Sequence, residues 1–308
     1  MIGFVGLGIM GFPMAENLIK AGFTLMVNDL DRHKVKSLVE KGATFADYET
    51  IAQACSTILL ILPNGKISRE VLFGRSGLAK KLKAGSIVCD MSSVTPNDSK
   101  ECKKGLDALG ITFVDAPVSG GEPKAIEGSL SFMVGAEEKD FDRLMPLFKA
   151  MGSSAVRVGP VGSGSVTKLA NQIIVNNNIA ALAEALVFAV KAGADPNKVY
   201  EAIKGGLAGS AVMDAKTPMM IRGDYRPGGK ISINHKDIKN VLSAAHELDV
   251  PVPMSAQLFE IMQALKVKGH FHEDHSAIVT YFEDLAACKV SQGVKDECHC
   301  RHEERREK

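Results

Sequence analysis

The 308-residue sequence has no excess of either charge. Its 37 Lys and Arg stand against 36 Asp and Glu, a net charge of +1. That removes any global electrostatic reason to expect nucleic acid or an anionic membrane as partner. An N-terminal leader pattern is missing too: Met1 runs straight into an apolar stretch, with no basic and apolar regions of a secretory signal before it. A cytoplasmic protein is expected. There is no unbroken apolar run of membrane length. The most apolar long segment, about 173–190, is interrupted by Asn176, Asn177, Asn178 and Glu184, as in a buried helix of a soluble protein. A disulfide framework is also lacking, because Cys55, Cys89, Cys102, Cys288, Cys298 and Cys300 are scattered through a chain too large to need one. A reducing compartment fits. No internal repeat or low-complexity linker divides the chain, whose length suffices for one large or two ordinary cores.

The present features begin at the first residues. Ile2 to Val5 is a short apolar run, the pattern of a buried parallel strand. Gly6-Leu7-Gly8-Ile9-Met10-Gly11 follows with GxGxxG spacing, and a helical pattern opens behind it. Gly6 permits a tight turn, Gly8 lets the backbone approach a pyrophosphate, and Gly11 lets helix and strand pack closely. The N–H groups and dipole of the new helix face the anion. Asp29 closes the next apolar run, where a carboxylate binds a ribose 2′-hydroxyl and repels a 2′-phosphate. NAD is therefore favoured over NADP, a preference that Arg32, His33 and Lys34 soften.

Up to about residue 160, strand patterns (2–5, 23–28, 57–62, 86–90, 112–115, 130–134) alternate with helical ones such as 12–21, 32–41 and 98–109. This predicts an α/β fold, a Rossmann-type doubly wound parallel sheet with a dinucleotide across its carboxyl ends. After Gly162 the composition changes. One long helix is predicted over 166–192, then further helices at 196–205, 235–248, 254–266 and 274–287, with no strand alternation. The expected organisation is a dinucleotide-binding domain over 1–162, an all-helical domain over 163–290 opened by an interdomain helix, and a charged, disordered tail over 291–308. A helix that long and apolar on several sides needs cover from other helices or another subunit, so a homodimer or homotetramer is expected. Cys298, His299, Cys300 and His302 resemble a metal tract but lie in that charged run, and no metal is expected.

Four stretches carry candidate chemistry. Leu62-Pro63-Asn64 ends the third major strand pattern and Asp90 to Ser93 ends the fourth, both where a cofactor meets strand ends; each also reads as an ordinary strand exit. In Asp115-Ala116-Pro117-Val118-Ser119-Gly120-Gly121 a strand runs into a loop whose N–H groups and hydroxyl suit a carboxylate. Lys168 and Asn171 are three apart on the long helix and share a face. A lysine in a water-poor cleft exchanges a proton with a substrate oxygen, while one at a helix start can simply be solvated; the pattern leaves both readings open. Lys236, before Asp237, is equally open between a cofactor contact and a solvated side chain.

Taken in order, the glycine motif with Pro13-Met14, the 115–121 stretch, Gly164 to Lys168 with Asn171, and His235-Lys236-Asp237 resemble the β-hydroxyacid dehydrogenase family over about residues 2–288. The stretches 121–126, 205–210, 214–216 and 274–277 are most similar to its tartronate semialdehyde reductase branch. The resemblance implies NAD-dependent reduction (NADP possible) of a small 3-oxo acid to the 3-hydroxy acid. It implies Lys168 as acid/base, Ser119, Gly120 and Gly121 on the substrate carboxylate, and Asn171 on its hydroxyl or carbonyl. Leu62, Pro63, Asn64, Ser93 and Lys236 would contact the cofactor. Another β-hydroxy acid would be served by the same residues, and a non-catalytic dinucleotide-binding relative would lack the lysine that stands here at 168. The segment after Lys289 has no counterpart in the family pattern.

Overall fold

The computed structural model describes residues 1–293. The expected tail lies outside the described residues from 294 on, while 291–293 fall in a 3-10 turn, Val290–Gly293. The chain forms two compact units: Met1–Gln172 with Asn240–Pro251, and Ile173–Lys239 with the described residues from Val252 on.

The first unit alternates strands and helices. In chain order these are β1 (Ile2–Val5), α1 (Gly11–Lys20), β2 (Leu25–Asn28), α2 (Arg32–Val39), β3 (Thr44–Phe45), α3 (Tyr48–Ala54), β4 (Thr57–Leu60), α4 (Gly65–Phe73), β5 (Ile87–Asp90), α5 (Pro96–Asp107) and β6 (Thr112–Asp115). Then come β7 (Val118–Ser119), α6 (Gly121–Glu127), β8 (Leu130–Gly135), α7 (Glu138–Met151) and β9 (Gly152–Gly159). The described residues make one sheet in the order β3-β2-β1-β4-β5-β6-β8-β7, with β9 beside β8. β1 to β6 are parallel. The strand expected near 130–134 departs from that direction: β8 runs antiparallel to β6 and β7, and β9 parallel to β8.

Burial on both faces explains the unbroken apolar runs of the parallel strands. Along β4, Leu59 packs with Phe4, Met14, Leu18, Cys89, Val114 and Phe148 on one face. Its neighbours Ile58 and Leu60 point the other way, to Val5, Ile51, Leu72, Val88 and Phe113. Strand order reverses between β1 and β4, and this switch point opens a crevice at the strand carboxyl ends. Helix α5 begins two residues before its predicted start because Pro96 takes its first position, behind a Thr95–Asp98 capping box.

Helix α8 (Ser163–Lys191) begins in the first unit, three residues before its predicted start, and continues into the second. It is the one described helix long and apolar enough to cross a membrane, by length and composition. The second unit is helical: α9 (Pro196–Ile203), α10 (Ala211–Arg222), α11 (Ile231–His246, which returns to the first unit at Asn240), α12 (Pro253–Val267) and α13 (Val279–Ala286). Helix α10 had no counterpart in the predicted set; Ser210 caps it by accepting the Met213 N–H. The helix predicted over 274–287 is a 3-10 turn, His275–Ile278, running into α13. Lys216 on α10 pairs with the fully buried Asp274 at 3.0 and 3.2 Å. Gly228, Gly229 and Ser276 donate backbone N–H groups to the same carboxylate. Cys55, Cys89 and Cys102 are buried free thiols and Cys288 is partly exposed. Among the described residues no cluster of His, Cys, Asp and Glu is placed to hold a metal ion.

Candidate active site

The glycine motif follows β1 and leads into α1. Gly6 has φ of +100°, and a side chain there would meet the Ile61 carbonyl oxygen at 2.2 Å. At Gly11 a Cβ would lie 2.0 Å from the Gly6 carbonyl oxygen. A Cβ at Gly8 would meet no heavy atom within 4 Å beyond its chain neighbours. A strained turn, an open position and a tight backbone contact are thus divided among the three glycines. Leu7 is buried, Ile9 is exposed, and Met10 precedes α1 with no side chain capping the helix. The Phe12 N–H bonds the Gly8 carbonyl at 3.1 Å, and the helix start beside the open position at Gly8 fits the pyrophosphate of a dinucleotide.

Asp29 follows β2 and is tied to that loop. Its Oδ2 accepts the Leu7 N–H at 2.5 Å and its Oδ1 the Asp31 N–H at 2.7 Å. Of the basic residues behind it, Arg32 has its side chain engaged, while His33 and Lys34 contribute backbone N–H groups to the cap of α2. The Arg32 guanidinium stacks over Phe45, 4.6 Å from the ring centroid, and the N–H groups of His33 and Lys34 donate to Asp31.

The two exit loops beyond β4 and β5 are bonded together. Leu62 donates its N–H to Ser92 Oγ at 2.7 Å, and Ser92 donates its own to buried Asp90 at 2.9 Å. Burial raises the Asp90 carboxyl above its ordinary value, against the hydroxyl and N–H of Ser92. Pro63 is exposed, and the Asn64 side chain caps α4 through the Ile67 N–H. Ser93 is half-buried; its carbonyl lies 3.5 Å from Asn240 Nδ2, in the α11 segment that belongs to the same unit. Neither Ser92 nor Asn240 carries a motif that sequence reading can pick out.

Ser119 closes the short strand β7, opposite Ser131 of β8. Gly120 and Gly121 then take φ of +140° and +70°, which side-chain-bearing residues rarely adopt. Ser119 Oγ lies 3.5 Å from Asn171 Oδ1, so this loop meets the α8 face that carries Lys168. Asn171 in turn donates to Gln172 at 3.0 Å, and Lys168 is half-buried. The start of α8 is held by Asp115, which accepts the N–H groups of Gly162 at 2.8 Å and Ser165 at 2.7 Å. Ser119, Gly120, Gly121, Lys168 and Asn171 are thus brought together in the first unit, which also carries the glycine motif, Asp29, Leu62 to Asn64 and Ser93. Lys236 belongs to the second unit, on α11, where it pairs with buried Asp237 at 3.0 Å.

Residues 1–159 match the family described as the NAD binding domain of 6-phosphogluconate dehydrogenase. Residues 162–282 match that described as NAD-binding of NADP-dependent 3-hydroxyisobutyrate dehydrogenase. The chain is 39% identical to 2-hydroxy-3-oxopropionate reductase of Escherichia coli K12, over 94% of this chain and 99% of the relative. It is 38% identical to 2-(hydroxymethyl)glutarate dehydrogenase of Eubacterium barkeri, over 95% and 98%. A crystal structure of 3-hydroxyisobutyrate dehydrogenase from Salmonella typhimurium aligns with a TM-score of 0.81 at 30% identity, over 91% of this chain and 98% of that one. The sheet order, the glycine cradle and these relatives agree: the chain belongs to the β-hydroxyacid dehydrogenase family of NAD(P)-dependent oxidoreductases.

Proposed function

We propose that the protein reduces tartronate semialdehyde (2-hydroxy-3-oxopropanoate) to D-glycerate with NADH. The observation that carries the reading is the approach of Ser119 to Asn171, which puts a Ser-Gly-Gly loop and a lysine-bearing helix face against one small volume. Gly6 to Gly11 and Asp29 hold the dinucleotide, helped by Leu62, Pro63, Asn64 and Ser93. When bound there, the reduced cofactor supplies a hydride. The Ser119 hydroxyl and the N–H groups of Gly120 and Gly121 bind the substrate carboxylate and so orient the aldehyde. Asn171 holds the aldehyde oxygen. Lys168, as ammonium, stabilises the charge growing on that oxygen and gives it a proton, so aldehyde, hydride and proton become the alcohol. The Asp29 carboxylate favours NADH by repelling a 2′-phosphate.

A second reading keeps every role and changes the substrate to 3-hydroxyisobutyrate or a hydroxymethyl dicarboxylate. The similarity to relatives so named supports it. Val166, Ile174 and Phe188 on α8 are exposed apolar side chains, which supports a homodimer or homotetramer. The test is a panel of tartronate, methylmalonate and succinate semialdehydes with NADH, repeated with NADPH, read as absorbance loss. A preference of at least about tenfold in kcat/KM, roughly 1.4 kcal/mol, for tartronate semialdehyde with NADH is expected. Preference for another aldehyde overturns the substrate, and turnover of none overturns the catalytic reading.

A further inference from the structure

Helix α8 has no cap of its own. The residue before it is Gly162, at φ of +97°, which has no side chain to bond the first turn. The Ser163 N–H bonds the Pro160 carbonyl and the Val166 N–H bonds that of Gly162, but Ser165, third in the helix, needs an outside acceptor. Asp115 Oδ2 is that acceptor, from 50 residues away in the chain, while Oδ1 takes the Gly162 N–H. The backbone is cleared for this contact. A Cβ at Gly135 would lie 2.2 Å from Asp115 Oδ1, and one at Gly164 would lie 2.5 Å from the Met133 carbonyl oxygen and 2.9 Å from Asp115 Oδ2. Ser165 Oγ is also fixed from its other side, 2.9 Å from Ser99 Oγ.

Four residues beyond Asp115 in the chain stands Ser119, and three beyond Ser165 on the helix stands Lys168. The Ser119–Asn171 approach closes a ring: from Asp115 along the chain to Ser119, across to Asn171, back along α8 to Ser165, and across to Asp115. A helix turns about 100° per residue, so a cap gripping one particular N–H sets which way every later side chain points. The carboxylate is 1% exposed and meets the positive end of the helix, so it is held there by charge as well as by geometry.

Resting on the reaction proposed above, we propose that Asp115 is a positioning residue that sets the rotational phase of α8 against the Ser119–Gly121 loop, and so the aim of Lys168 at the substrate carbonyl. It touches neither substrate nor cofactor. Burial raises its carboxyl above the ordinary range, and the bonds from Gly162 and Ser165 work against that rise.

The experiment is Asp115→Asn in the full chain, assayed well below its melting temperature. The amide keeps shape and volume but turns an NH2 group toward one of the two N–H donors. Misplacement of about 1 Å costs about 100-fold in turnover, so kcat should fall by that order and KM for the oxo acid should rise. NADH affinity, measured by fluorescence titration, should stay within about twofold, since the glycine motif and Asp29 are elsewhere. A folded variant with kcat and KM near wild type overturns the proposal, as does equal loss of NADH and oxo-acid binding, the mark of a merely structural role. If Asp115→Asn does not fold, Gly164→Ala pushes the same contact apart by its Cβ and should give the same split; unchanged kcat and KM would sink the idea. If wild type reduces none of the three aldehydes, the substrate reading fails separately. The positioning role is then read from tartronate affinity in the presence of NADH: weakened in Asp115→Asn supports it, unchanged overturns it.

Discussion

The backbone N–H of Leu7 donates to Asp29 Oδ2, binding the glycine turn after β1 to the end of β2. One carboxylate therefore shapes the glycine loop, and in the proposed function it also binds the ribose. Asp29→Ala should raise the KM for NADH about tenfold or more, the loss of a charged hydrogen bond of about 1.5–3 kcal/mol. The same change removes the repulsion toward a 2′-phosphate, so the ratio of NADH to NADPH in kcat/KM should fall. Steady-state kinetics with both cofactors checks this, and an unchanged ratio would remove Asp29 from cofactor choice.

Lys168→Ala should lower kcat by about 100- to 10,000-fold, the range for a positioned proton donor. The glycine motif and Asp29 are untouched, so NADH titration should give a dissociation constant close to wild type. Near-normal turnover in that variant would assign the proton to another group.

The glycines at 8 and 11 should separate stability from binding. Gly8→Ala places its methyl where the protein has no atom within 4 Å, so the melting temperature should hold while NADH affinity drops. Gly11→Ala drives its methyl to 2.0 Å from the Gly6 carbonyl oxygen, where the backbone must shift, at about 1–3 kcal/mol. Thermal unfolding of both variants, with and without NADH, tells the two effects apart.

His275 makes acid stability measurable. Burial, with Lys216 close by, lowers its imidazole to about 4, against an opposing pull from Asp274; its Nδ1 is 2.9 Å from Asn234 Nδ2. The unfolded chain takes up this proton near pH 6.5 and the folded chain near 4, so stability falls as pH drops between those values. At about 1.4 kcal/mol per pH unit, the loss reaches roughly 3 kcal/mol at the lower end. Urea denaturation at pH 7.5, 6 and 5 should show this slope, and His275→Phe should flatten it.

Much of this was legible before any coordinates. Strands buried on both faces must be apolar throughout, so β1, β4, β5 and β6 announce themselves, and the glycine spacing with Asp29 marks the cofactor loop. Lys168 and Asn171 stand out because polar side chains at helical spacing interrupt an apolar helix. Asp115 gives no such signal as a cap, because its two donors lie 47 and 50 residues away and only the folded sheet brings them near. Gly162, the local residue, cannot announce a helix start, so α8 was expected three residues late. Helix α10 escaped for another reason: Pro218 sits inside it, where proline ordinarily ends a helix. The alternation in β9 is confined to Val156-Arg157-Val158, too short to betray a strand.

The compact units divide inside α8 and again inside α11, with residues 240–251 returning to the sheet-bearing unit. Anyone recombining this enzyme with a relative inherits that arrangement. A crossover at Gly162, where composition invites it, takes Asp115 from one parent and the N–H of Ser165 from the other. It also leaves Asn240 in a different lineage from the Ser93 carbonyl beside it. The heritable module is therefore the contiguous first half together with the opening turns of one helix and the closing turns of another.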